Sequence, residues 1–228
     1  MHIGDKKRQI LEAEIYKAVE RRSSTDRRYL TVVELGSYCG YSSLSIASIF
    51  RYGDKLYSIE VNEDCTIWTR SVLEKAGASE HVEILLGNVE NGVDELQQRI
   101  QPGTIDVLFI DHDKRLYLSD LIRFEESGLL ANGCVVIADN VLSFGKPLTD
   151  YLEHVRNDKN YSDSVLYQSF IEYSVNQDFD HGSTTQSVAI KSNSGRYSEV
   201  ENSANAQCEN LDEIVDGVEV STYCYIKL

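Results

Sequence analysis

Short β-rich runs alternate with helix-patterned stretches from residue 29 to residue 139, and few folds accommodate that rhythm. The runs are YLTVVELG (29–36), KLYSIEV (55–61), HVEILLG (81–87), IDVLFID (105–111) and GCVVIAD (133–139), with helical patterns over 41–50, 63–77, 89–100 and 118–130 between them. Such near-continuous apolar strands are buried on both faces, which calls for a parallel sheet covered by helices on each side. A further helix is expected over 5–22, where Leu11, Ile15, Ala18 and Val19 share one face, and another over 148–158. The expected fold is therefore α/β, a Rossmann-like, doubly wound and mostly parallel sheet. A C-terminal β-hairpin of 163–173 with 215–228 closes it. The stretch 174–212 is polar and lacks periodicity, so we read it as a disordered insertion at the hairpin tip and the whole of 1–228 as one domain.

The formal net charge of −15 opposes nucleic-acid binding, which normally uses a basic surface. The start, MHIGDKKRQI, has no apolar core of a signal peptide, and no apolar run approaches the roughly 18 residues of a membrane span. Five cysteines without a C-x-x-C pair suit a reduced chain. We expect a cytoplasmic monomer acting on a small molecule, with no nucleic acid and no membrane segment.

In open α/β sheets ligands bind beyond the carboxyl ends of the strands. At the first such end, ELGSYCGYSS presents Glu34, Gly36, Ser37, Tyr38, Gly40, Tyr41 and Ser42; at the second, SIEVN presents Glu60. An acid there can accept hydrogen bonds from both hydroxyls of a ribose. The glycines are spaced G-x-x-x-G rather than G-x-G-x-x-G, so a pyrophosphate cradle is absent and a nicotinamide enzyme is disfavoured. An acidic turn suits a cationic, phosphate-free ligand such as S-adenosylmethionine (SAM), although a plain structural βα turn would look the same in isolation.

The fourth run ends on Asp111 and the fifth on Asp139-Asn140. Neighbouring strands lie about 4.8 Å apart, so two carboxylates and an amide oxygen converge into a hard-oxygen set that suits Mg²⁺ and not zinc. Lys114, three residues beyond Asp111, can turn back over that set as a general base. Taken singly, Asp111 could cap a helix and Lys114 could be a surface lysine; D-x-x-K followed by A-D-N favours the cation site.

Through GDKKRQI, ELGSYCGYS, IEVNEDC, DHDK followed by Tyr117, GLLANGCVVIADNV, YQSFIEY and DGVEVS, the sequence resembles the catechol O-methyltransferase family of cation-dependent class I SAM methyltransferases. The resemblance covers nearly all of residues 1–173 and 214–224. It implies a SAM pocket lined by Met1, Ile3, Glu34, Gly36, Tyr38, Ser42, Glu60, Val61, Asp111 and His112, with Glu60 on the ribose and His112 beside the adenosine. It implies Mg²⁺ on Asp111, Asp139 and Asn140, Lys114 as base, and Glu172 on the second hydroxyl of a catechol-type diol. Relatives also carry a helical segment ahead of the position of Met1. Departures from the family pattern are Asp113 in place of a tryptophan, Val89-Glu90 in place of Ser-Gln, and Phe144 in place of a proline. DHDKRLY is similar as well to the D-A-D-K pattern of caffeoyl-CoA-type O-methyltransferases, which take larger phenols. A non-catalytic SAM-fold binding protein is the alternative from another class.

Overall fold

A computed structural model describes residues 3–21, 28–142, 148–170 and 215–224. Met1, Phe144, Glu172 and the stretch 174–212 lie outside them. Helix α1 (Asp5–Arg21) leads into β1 (Thr31–Leu35), α2 (Tyr41–Ser48), β2 (Lys55–Glu60), α3 (Glu63–Lys75), β3 (Val82–Leu86), α4 (Val89–Arg99) and β4 (Ile105–Ile110). A 3₁₀ turn at Lys114–Leu116 enters α5 (Tyr117–Ser127), followed by β5 (Leu130–Ala138), α6 (Thr149–Asn157), β6 (Tyr161–Phe170) and β7 (Val215–Tyr223).

The sheet has seven strands in the order β3-β2-β1-β4-β5-β7-β6. β1 to β5 pair in parallel, and β7 runs antiparallel to both β5 and β6. The expected doubly wound architecture and terminal hairpin are therefore present, with β7 lying between β5 and β6. The chain reverses its progress across the sheet between β1 and β4, the switch point at which the strand ends leave a crevice.

Every residue of β4 is buried, and its alternation explains why. Leu108 and Ile110 join Val93, Leu96, Leu121 and Phe124 on the face covered by α4 and α5. Val107 and Phe109 join Leu11, Ile15, Ile46 and Leu73 on the face covered by α1, α2 and α3. Burying each such side chain stabilises the fold by about 1.5–3 kcal/mol.

Element ends follow local chemistry. Asn62 caps α3 by accepting from the Cys65 N–H at 3.0 Å, and Asn88 caps α4 by accepting from the Asn91 N–H at 2.9 Å. Asn62→Ala is expected to cost about 1 kcal/mol, read as a lower melting temperature with an unchanged far-UV spectrum. The sequence pattern carried the fifth helix to residue 130, but Gly128, at φ 71°, stops α5 at Ser127. Leu130 then pairs beside Ile105, so β5 starts earlier than the expected 133. Among the described residues Cys39, Cys65, Cys134 and Cys224 are free thiols, and no helix is long and apolar enough to cross a membrane.

Candidate active site

The crevice at the switch point is built by close backbone approach. Gly36 has φ 94°, and a Cβ there would stand 2.6 Å from the Asp111 carbonyl oxygen and 3.1 Å from the His112 Cβ. Only glycine lets the β1 turn touch the end of β4. Tyr38, at φ 44°, is held in the left-handed region because its N–H donates to Glu60 Oε2 at 2.9 Å. Glu60 Oε1 accepts from the Asn62 N–H at 2.8 Å, so two backbone donors fix the carboxylate at the end of β2. Exposed Tyr38 and Val61 flank it with apolar surface.

Behind this turn, Glu34 is fully buried, and its Oε2 accepts from Ser43 and Ser58 hydroxyls at 2.5 Å each. Burial raises its pKa, and the hydrogen bonds from Ser42, Ser43 and Ser58 offset that only in part. Ser42 is also buried, at the start of α2. Tyr41 ties α2 to α1 by donating to Asp5 at 2.6 Å. Ile3, assigned to the cofactor pocket by the resemblance, places its side chain in the core cluster with Leu11 and Ile15 of α1.

Beyond β4, the His112 ring stacks on Tyr117 (centroids 5.2 Å apart, planes 9°) and its Nε2 lies 2.6 Å from Asp120. Asp113 caps the 3₁₀ turn through the Arg115 N–H, and Arg115 holds its carboxyl down at a pKa of about 2. Where a tryptophan was the family pattern, this position thus carries a salt-bridged acid. Lys114 Nζ lies 5.7 Å from the centroid of the Tyr117 ring. Of the buried polar side-chain atoms without a protein partner among the described residues, Glu34 Oε1, Ser37 Oγ and His112 Nδ1 all belong to the β1 turn or the β4 end. Such orphaned groups fit a polar ligand that supplies the missing partners.

Beside them, β4 and β5 pair in register, bringing Asp111 and Asp139-Asn140 to adjacent strand ends. Burial and the neighbouring Asp139 charge push the Asp111 pKa well up, against the opposing pull of Lys114 and Lys7. The Asp139 carboxyl is raised by burial and eased by Lys7. Burial and mutual repulsion thus disfavour the charged forms of both acids, and nearby positive charge favours them. Among the described residues no group of three or more His, Cys, Asp or Glu gathers for a metal. The oxygen set here consists of two acids and an amide, and its chemistry fits Mg²⁺.

Sequence reasoning missed what lies behind that set. Lys7, on α1, places Nζ 2.7 Å from Asp139 Oδ1 and 2.6 Å from Asp216 Oδ2, with all three side chains buried. Burial alone would lower the Lys7 pKa, but the two carboxylates outweigh it and raise it. Asn140, at φ 57°, donates its side-chain N–H to the same Asp216 oxygen. A signal was present: Lys7 precedes Leu11, Ile15 and Ala18 on the buried stripe of α1, where a lysine requires a buried acid.

A family model described as O-methyltransferase matches residues 28–172. The chain is 36% identical over 174 residues to catechol O-methyltransferase of Bos taurus, covering 76% of this chain and 60% of that protein. This chain belongs to the O-methyltransferase family. The Mus musculus catechol O-methyltransferase is also 36% identical, over 76% of this chain and 61% of its own. The chain thus spans about three fifths of the length of these relatives. Among solved structures, the O-methyltransferase from Bacillus cereus in complex with SAH superposes with a TM-score of 0.67 at 16% identity, over 97% of this chain and 82% of that one. That likeness shows the fold of O-methyltransferases.

Proposed function

We propose that this chain transfers a methyl group from SAM to one hydroxyl of a catechol-type vicinal diol, with Mg²⁺ as the cation. The observation that supports the reading is the close approach of Gly36 to the Asp111 carbonyl, which brings the β1 turn against the β4 end, beside which β5 pairs. SAM supplies an electrophilic sulfonium methyl. Mg²⁺ supplies a charge that makes a phenolic hydroxyl more acidic.

The side chains have separable tasks. Glu60, fixed by two backbone N–H groups, accepts the ribose hydroxyls, and Tyr38 and Val61 offer apolar surface beside it. Asp111, Asp139 and the Asn140 amide oxygen hold the cation. Lys114 Nζ, when neutral, takes the proton from the attacking hydroxyl. Glu172, outside the described residues, is proposed to receive the second hydroxyl. Most of the acceleration would then come from alignment of the two reactants, which can be worth roughly 7–11 kcal/mol. The proposed setting is a cytoplasmic enzyme acting as a monomer on a small diol.

Incubation with a simple catechol, SAM and Mg²⁺ should give a product heavier by one methylene in mass spectrometry. EDTA should remove that product and added Mg²⁺ should restore it. A product formed equally well in EDTA would refute the cation's role, and an absence of product from any vicinal diol would refute the activity.

A further inference from the structure

Lys7 and Asp216 take no part in the chemistry just described, yet they form the best-buried ion pair beside it. Lys7 comes from α1 and Asp216 from β7, so elements 209 residues apart in sequence meet behind the cation ligands. Each of the pair's contacts constrains a ligand. Lys7 Nζ holds Oδ1 of Asp139, which also accepts from the Asn140 N–H at 2.7 Å, and this fixes the rotation of the carboxylate. Asp216 Oδ2 accepts from Asn140 Nδ2, which settles which end of the amide points back and turns the carbonyl oxygen the other way. Asp216 is itself fixed, because its Oδ1 accepts from the Gly217 N–H at 2.8 Å. The Val141 N–H donates to the Gly217 carbonyl at 3.0 Å, tying the β7 start to the ligand-bearing loop.

Resting on the function proposed above, we infer that Lys7 and Asp216 are positioning residues. They orient Asp139 and Asn140 so that one carboxylate oxygen and the amide oxygen face the cation. Partners that orient metal ligands typically change affinity by about 10–100-fold when removed. The opposite role for Lys7, an ammonium that competes for the cation's place, makes the opposite prediction, because its removal would tighten binding.

The test uses Mn²⁺ as probe, with free Mn²⁺ read by electron paramagnetic resonance, on the full chain and three variants, Lys7→Met, Lys7→Met/Asp216→Leu and Asp111→Asn. Lys7→Met alone leaves two buried acids uncompensated, so the double variant Lys7→Met/Asp216→Leu removes the pair together and keeps the site's net charge. Thermal melts establish that each protein is folded at the titration temperature. The expected result is about 10–100-fold weaker Mn²⁺ binding in the folded double variant, with a changed Mn²⁺ spectrum in the bound state. Equal or tighter binding overturns the positioning role. If wild type binds no Mn²⁺ that Asp111→Asn abolishes, the cation site itself fails and the inference falls with it. If wild type does bind and the two Lys7 variants match it, only the roles of Lys7 and Asp216 are lost.

Discussion

Lys114→Ala is expected to lower the rate of methyl transfer by about 10²–10⁴-fold, the range for loss of a general base. The fold should survive, because the turn that carries Lys114 is held by other groups. Asp113 caps it through the Arg115 N–H, and Tyr117 anchors its far end in the core, donating to the Asp139 carbonyl at 3.0 Å. Glu60 and its backbone donors are untouched, so SAM affinity should stay within about threefold in a titration, and the loss should fall on kcat. The defect should shrink as pH rises, since a diol ionised in solution no longer needs a proton acceptor. Wild-type turnover by the alanine variant would remove the base assignment. A defect of equal size at every pH would instead make Lys114 a binding residue.

Gly36→Ala carries the second large effect, and it reaches both halves of the site at once. The new methyl would lie 2.6 Å from the Asp111 carbonyl oxygen, a backbone atom that has no rotamer to escape into. Left-handed strain and the clash each cost about 1–3 kcal/mol, so a loss of roughly 2–6 kcal/mol is expected. For a chain of this size that corresponds to a melting temperature lower by about 4–24 °C. Relief by movement of the turn displaces Tyr38 from Glu60, whereas relief by movement of β4 displaces Asp111 from Asp139. SAM affinity and cation affinity should therefore be measured in the same variant. A protein with unchanged melting temperature and unchanged affinities would show that the contact does not couple the two sites.

The strands and helices were largely legible because their signals are local. β4 reads as a run of apolar residues with an abrupt charged end, and both facts follow from one strand, buried on both faces, that stops at a crevice. The G-x-x-x-G turn marked the ligand-facing end of β1, whereas the φ of 94° at Gly36 and its approach to the β4 end came only with the structure. The end of α5 was misjudged because Leu129 and Leu130 continue an apolar pattern past Gly128, and the pattern alone does not say when helix becomes strand. The Lys7 to Asp216 pair escaped for a different reason. Its two halves come from opposite ends of the described chain, and a buried charge reveals its partner only once the topology is known.

The place of β7 has a consequence for the order in which the molecule is made. It is the last strand in the described chain, but it sits between two strands that precede it, pairing with β5 on one side and β6 on the other. Contacts of such long sequence separation form slowly, after local ones. During synthesis the glycine turn, Glu60 and the β4 end can reach their places while Asp216 has yet to emerge. The chain would then complete the proposed ribose-type half before the support behind the proposed cation ligands. Amide-exchange protection appearing in β1, β2 and β4 ahead of β7 on refolding is the pattern expected of that assembly.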